Sequence, residues 1–410
     1  MPQLPHPSRW LVAALSALVL ACGDDDSGGP GNAEMTRVAG NNASGFAGNF
    51  TPTLPIVRVQ DGDGAPVPGV SVTFSVASGG GTVAFPTATT DDSGRASPGA
   101  WRFGSAGTQG LTASASGYQS VTFAATASAP PASAYNISIV FLDPQPTDSQ
   151  KAAFLAARDR WQQLIVGDLA DYGPGFAADA ACPTFTTPEV PGPIDDVVIF
   201  AAVRPIPPDG GANILAQAGP CQLRASNLLT IAGIMIFDSD DIATLTQSAS
   251  LADVATHEMA HVLGFGLIWS DLDLITGEFG TDPYFTGVGA RQAFRASENP
   301  SNPFVGNAVP VENTGGFGTR DGHWRETVFG RELLTGFFNG GVANPLSAVT
   351  AASMRDLGYV VDDSRADAYQ LSLRMGSLAA GTGGVWREQL APWPVRVVDD
   401  RGRALRTIRR

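Results

Sequence analysis

The chain has 410 residues, is 43% hydrophobic, and carries 25 Lys and Arg against 39 Asp and Glu, a formal net charge of −14. That length holds two or three domains, and that apolar share supplies ordinary globular cores. The negative balance excludes the basic face that nucleic-acid binding needs, so no nucleic-acid partner is expected.

Residues 1–22 read as an export leader. Arg9 gives a positive start, and Trp10 to Ala21 is an uncharged run. The run is shorter than the ~20 residues that cross a bilayer, which favours a signal core over a spanning helix. Val19-Leu20-Ala21-Cys22-Gly23 resembles the cleavage and lipidation site of bacterial lipoproteins, with Cys22 as the acylated N-terminus; Leu20 is bulkier than that motif usually has. Residues 23–33, with Asp24-Asp25-Asp26-Ser27-Gly28-Gly29, read as a flexible tether. The expectation is an exported protein anchored to the membrane by lipid on Cys22, at the outer membrane or surface of a bacterial envelope. Plain secretion with a fortuitous cysteine is the alternative. The other two cysteines, Cys182 and Cys221, then form an even pair. An exported chain can keep them as a disulfide worth about 2–4 kcal/mol; two free buried thiols are the alternative.

Residues 34–128 read as an all-β sandwich. Val67 to Val76 alternates at the strand period, and Gly79-Gly80-Gly81, Asp91-Asp92-Ser93-Gly94 and Ser105-Ala106-Gly107 fall at turn spacing. The pieces Asp61-Gly62-Asp63-Gly64-Ala65-Pro66-Val67-Pro68-Gly69-Val70, Thr90-Asp91-Asp92-Ser93-Gly94-Arg95-Ala96 and Trp101 resemble bacterial immunoglobulin-like domains of the invasin and intimin type. Such a domain serves as a spacer or as an adhesive module.

After a linker rich in Ala, Ser and Pro (Ala127 to Ala134), residues 134–362 read as an α+β domain. Asn136 to Leu142 is a strand, and Asp148 caps a helix running to about Val166. Asp196 to Ala202 and Ile231 to Phe237 are further strands, the second reading as a core strand. Phe237-Asp238-Ser239-Asp240-Asp241 reads as a solvated turn, with calcium binding as the alternative. Ser250 and Asp253 predict a capping box that opens the next helix. Residues 363–410 form a C-terminal extension. Its arginines at 396, 401, 403, 406, 409 and 410 suit a solvated tail or a terminal hairpin.

The chain has four histidines, and His6 belongs to the leader. His257 and His261 lie in Thr256-His257-Glu258-Met259-Ala260-His261-Val262-Leu263-Gly264-Phe265, and His323 follows in Asp321-Gly322-His323-Trp324-Arg325. Positions i and i+4 of a helix share a face, so the first two rings point at one spot. A catalytic zinc takes three protein ligands and keeps the fourth position open. His323 is the histidine available as the third, and Glu258 is adjacent as a general base for a zinc-activated water. Gly264 stands where the helix must stop and turn. Gly315-Gly316-Phe317-Gly318 lacks the Lys-Ser/Thr of a phosphate loop and reads as backbone freedom before His323.

His257-Glu258-Met259-Ala260-His261-Val262-Leu263-Gly264-Phe265, then His323-Trp324-Arg325, Glu332-Leu333, and Leu346 to Tyr359 resemble leishmanolysin-type metallopeptidases of the metzincin class. In that family a long insertion separates the Gly from a third His followed by Trp. The resemblance covers roughly Tyr135 to Val361 and implies a zincin-like fold, a Zn2+ cofactor, protein or peptide substrates, and Ile231 to Phe237 as an edge strand beside an extended substrate. One position departs from the pattern: Leu334 stands where the family has the Met of a tight turn beneath the zinc. Tyr284 and Tyr359 are candidates for a second donor to the oxyanion.

The resulting expectation is an immunoglobulin-like sandwich followed by an α+β zincin-like peptidase domain, a zinc metalloendopeptidase with ligands His257, His261 and His323 and base Glu258. A surface adhesin with an inactive peptidase domain is the alternative from another class. A zinc hydrolase acting on something other than peptides is a third.

Overall fold

The computed structural model describes residues 33–130, 132–206, 214–247, 250–297, 308–316, 318–337, 342–371 and 387–409. Cys22, with its leader and tether, lies outside the described residues.

The first unit is a β-sandwich. A five-stranded sheet runs in the order Ala43–Phe46, Val121–Ser128, Gly107–Ser114, Ser71–Ser78, Thr87–Thr89. A three-stranded sheet is formed by Glu34–Ala39, Ile56–Gln60 and Arg95–Ala96. Period-two alternation drives this arrangement: along Ser71–Ser78, Val72 and Phe74 are buried while Ser71, Thr73 and Ser75 are exposed. Val57, Val59, Leu111, Phe123 and Trp101 complete the core, with Trp101 edge-on to Phe103 at 5.5 Å.

The sandwich docks on the second unit through buried polar groups. Asn49 Nδ2 donates to the Val361 carbonyl at 2.8 Å, and the Asp363 amide donates to Asn49 Oδ1 at 2.8 Å. Asp363 in turn holds Arg355 at 2.6 Å.

The second unit is built on a seven-stranded mixed sheet. Its order is Ile137–Phe141, Val197–Val203, Thr230–Phe237, Ile214–Arg224, Val395–Val398, Ala404–Ile408, and Arg387–Leu390 also pairs with Ile214–Arg224. The first three strands are parallel, and Ile214–Arg224 runs antiparallel to Thr230–Phe237. Thr230–Phe237 is buried along its whole length and lies between two neighbours, so it is a core strand and not an edge. The C-terminal extension is no free tail, since its last two strands form an antiparallel hairpin that widens this sheet.

Two helices pack on the sheet. The first, Asp148–Leu164, is capped one residue earlier than expected: Thr147 and Gln150 exchange the reciprocal bonds of a capping box. Its Trp161 Nε1 donates to the Thr256 carbonyl at 2.9 Å and ties it to the second helix, Leu251–Val262. That helix lacks the expected capping box. Ser250 has helical backbone angles, and its side chain makes no capping bond. Asp253 instead accepts from Asn344 at 3.4 Å. Asp238 accepts the Asp240 amide at 2.9 Å, a turn that leads into the short helix Ile242–Gln247.

Cys182 and Cys221 are joined by a disulfide with a sequence separation of 39. Replacing both with Ala is expected to lower unfolding free energy by about 2–4 kcal/mol through loss of this cross-link. Denaturant unfolding checks it; an unchanged midpoint would mean the loop is held by packing alone. No helix among the described residues is long and apolar enough to cross a membrane.

Candidate metal centre

The Leu251–Val262 helix is buried from Val254 to its end, so its packing fixes where the site residues point. Its closing carbonyls have partners. Thr230 Oγ1 donates to the Val262 carbonyl at 2.7 Å, and Tyr359 OH donates to the Leu263 carbonyl at 2.9 Å. Tyr359 is therefore a buried strut under the helix end rather than a donor at the site. Tyr284 lies on the middle strand of a small sheet with Ile275–Thr276 and Val309–Pro310, and makes no hydrogen bond to the site among the described residues. Gly264 has φ +108°, and a Cβ there would meet Ile268 at 2.7 Å, so the chain turns away as only glycine allows. The Phe265 carbonyl returns to accept from His261 Nδ1 at 2.9 Å.

His323 arrives on a separate loop. Gly315, Gly316 and Gly318 all have positive φ, and Thr319 after them offers its carbonyl to His323 Nδ1 at 2.8 Å. Trp324 is fully buried beside it, stacked on Trp269 at 5.2 Å and bonded through Nε1 to Thr350 Oγ1 at 2.8 Å. This packing fixes the backbone that carries the ring.

A third segment closes the floor. The Leu333 carbonyl accepts from His257 Nδ1 at 2.6 Å. The turn is held by the buried Glu332 carboxylate, which accepts from the Leu334 amide, the Ser347 amide and hydroxyl, and Thr350 Oγ1 at 2.5–3.0 Å. Leu334 itself is fully buried. Leu and Met have similar volumes, so Leu334→Met is expected to change stability by under about 1.5 kcal/mol and to leave metal affinity unchanged. Denaturant unfolding and a competition titration read both, and a large loss in either would show that this floor is shaped for Leu.

With each Nδ1 bound to a carbonyl, each ring presents Nε2. The three Nε2 atoms lie 3.0–3.2 Å apart. Zinc bound tetrahedrally to imidazoles at 2.0–2.1 Å sets ligand nitrogens roughly 3.3 Å apart. In their neutral form the three imidazoles would direct their Nε2 lone pairs at one point, the arrangement that a bound cation uses. The donor set therefore fits a divalent ion with a nitrogen preference, and the carbonyl bonds supply the outer shell that orients such ligands.

The site holds a fourth donor that the spacing of the motif does not announce. Glu388, on Arg387–Leu390, puts Oε2 at 3.2 Å from His257 Nε2 and 3.5 Å from His261 Nε2, and its Oε1 contacts His323 Nε2. Its side chain is only 9% exposed. It lies 127 residues beyond His261, in a stretch whose sequence carries no ligand signature.

The electrostatics divide the two carboxylates. Burial pushes Glu258 well above the usual range, and the Glu388 charge adds to that push. Burial also pushes Glu388 up, but the three histidines outweigh it and hold this carboxyl well below the usual range. Burial keeps His261 well below ordinary imidazole. Burial lowers His257 too, but Glu388, Glu258 and the Leu333 carbonyl together raise it to about 9. Glu258 Oε2 is buried without a hydrogen-bond partner among the described residues.

Residues 176–377 match the family model of leishmanolysin. The match takes in His257, Glu258, His261, His323 and the Glu332 turn, and ends before Glu388. No curated protein matches the chain. Among solved structures, the C-terminal 282-residue fragment of intimin, in complex with the intimin-binding domain of its translocated receptor, is 24% identical, over 22% of this chain and 30% of that one, with a TM-score of 0.19. The adhesin InvE of Yersinia pseudotuberculosis is 21% identical over 25% and 27%, TM-score 0.18. Domains 4 and 5 of the surface-layer protein SbsC are 16% identical over 24% and 54%, TM-score 0.18. The chain thus spans about a quarter to a half of each of these structures.

Proposed function

On the premise that residues 176–377 form a leishmanolysin-family metallopeptidase domain, we propose that this chain is a zinc-dependent endopeptidase. The observation that carries the reading is the convergence of three carbonyl-anchored imidazoles to 3.0–3.2 Å beside a buried glutamate. His257, His261 and His323 hold the metal. Zinc, when bound, supplies a Lewis acid for the scissile carbonyl and brings the pKa of water towards neutrality. Glu258 accepts the proton of the attacking water and returns it to the leaving amine; its buried, unpartnered Oε2 supports that role. The helix, the His323 loop and the Glu332 turn keep the three rings fixed, so little reorganisation accompanies the reaction.

Export, lipidation of Cys22 and attachment to the bacterial envelope belong to the same proposal. They are supported by the sequence of residues 1–33 alone. The sandwich would then stand between the anchor and the peptidase domain.

The test is cleavage of unfolded casein by the full chain from residue 23. The expected result is slow cleavage that a chelator abolishes and zinc restores. Cleavage indifferent to chelation would contradict the reading. Binding of casein without any cleavage would favour the adhesin alternative.

A further inference from the structure

Resting on that reading, we propose that the C-terminal segment around Glu388 is a built-in latch that closes the metal centre in two ways at once. Glu388 acts as a fourth protein ligand, and Arg387–Leu390 fills the strip of sheet edge where an extended peptide would lie.

The first part follows from donor geometry. His257, His261, His323 and Glu388 offer ligand atoms that all fall within 4.8 Å of one another. A metal held by the three imidazoles would therefore have the Glu388 carboxylate within reach as a further ligand. Four protein ligands make a closed site, whereas catalysis needs that position for water and the scissile carbonyl.

The second part follows from the sheet. Ile214–Arg224 is bordered on one side by Thr230–Phe237. Its other side, beside the metal centre, takes Arg387–Leu390 in parallel, with Ala216 opposite Glu388 and Ala218 opposite Leu390. The Ala391 amide donates to the Ala218 carbonyl at 2.9 Å. A strand added to an open sheet edge is a general way to hold an extended peptide, through backbone bonds that do not read sequence. Here the chain's own segment has that place.

The seat is shaped for the segment. A Cβ at Gly322, next to His323, would meet Leu390 at 2.4 Å, and one at Gly219 would meet Ala391 at 2.6 Å. Two glycines thus leave room for the residues that follow Glu388. Glu388 lies beyond the 176–377 stretch that matches leishmanolysin. Opening the latch requires displacement of this segment, by a cut in the chain before residue 387 or by an extended peptide that brings its own carbonyl to the metal.

The experiment compares the Co2+-loaded full chain from residue 23 with its Glu388→Ala and Glu388→Gln variants. Acetohydroxamate, a small ligand that needs an open metal position, is titrated against the visible Co2+ absorption. A latch closed in about 99% of molecules weakens apparent binding about 100-fold. Both variants should therefore bind acetohydroxamate about 100-fold more tightly than wild type, while casein cleavage should rise by a smaller factor, because Arg387–Leu390 keeps its backbone pairing with Ile214–Arg224. Equal acetohydroxamate affinity in all three chains would overturn the latch. So would loss of the metal from the folded variants, which would make Glu388 a permanent structural ligand. The Gln variant keeps the side-chain shape and decides the matter if the Ala variant fails to fold. Tight acetohydroxamate binding without any casein cleavage would uphold the latch and overturn the peptidase reading instead.

Discussion

Replacing Glu258 by Gln is expected to lower kcat/KM on a casein-derived peptide by about 10²–10⁴-fold, the range that loss of a positioned general base commonly costs. The comparison belongs in a Glu388→Ala background, where no carboxylate competes for the metal. Gln preserves the volume of a side chain that is 2% exposed, so the helix Leu251–Val262 has no cavity to absorb. It also removes the titratable carboxyl next to His257, while the imidazoles keep their carbonyl anchors. Metal content should therefore stay at one ion per chain. Unchanged kcat/KM with metal bound would show that another group takes the proton.

Metal affinity itself should collapse in His323→Ala. The ring is fully buried, and its loss removes one of three nitrogen donors from a preformed site. Loss of an outer-shell partner alone costs about 10–100-fold in affinity, so loss of a ligand is expected to cost more than that. Stability gives a second readout. Saturation at about 1,000 times Kd stabilises a protein by about 4 kcal/mol. For a domain of this size that corresponds to a rise in Tm of roughly 8–16 °C. Wild type should show that rise on adding zinc, and His323→Ala should not. A variant that binds zinc as tightly as wild type would remove His323 from the ligand set.

The halves of this site were unequally legible in the sequence. His257, Glu258 and His261 are legible because helical periodicity turns a spacing of four into a shared face. His323 is legible because few other histidines exist to compete with it. The strand alternation of Ser71–Ser78 likewise marks the sandwich before any coordinate is known. What stayed hidden depends on contacts between segments far apart in the chain. Glu388 reaches the metal centre only because Arg387–Leu390 pairs with Ile214–Arg224, and nothing local in Arg387-Glu388-Gln389-Leu390 encodes that pairing. The position of Ile231–Phe237 was open for a similar reason. An all-apolar strand reads as buried, but its neighbours are set by how the later chain returns to the sheet. The Ser250 box failed because two residues of suitable type do not fix the cap backbone, which here takes helical angles.

The most direct test of the metal centre is zinc K-edge X-ray absorption on the zinc-loaded full chain. The expected result is one zinc per chain with a first shell of three imidazole nitrogens and at least one oxygen. Glu388→Ala should keep the three nitrogens while its carboxylate oxygen gives way to solvent. A shell with fewer than three imidazoles, or a chain that binds no zinc, would contradict a metal centre built on His257, His261 and His323.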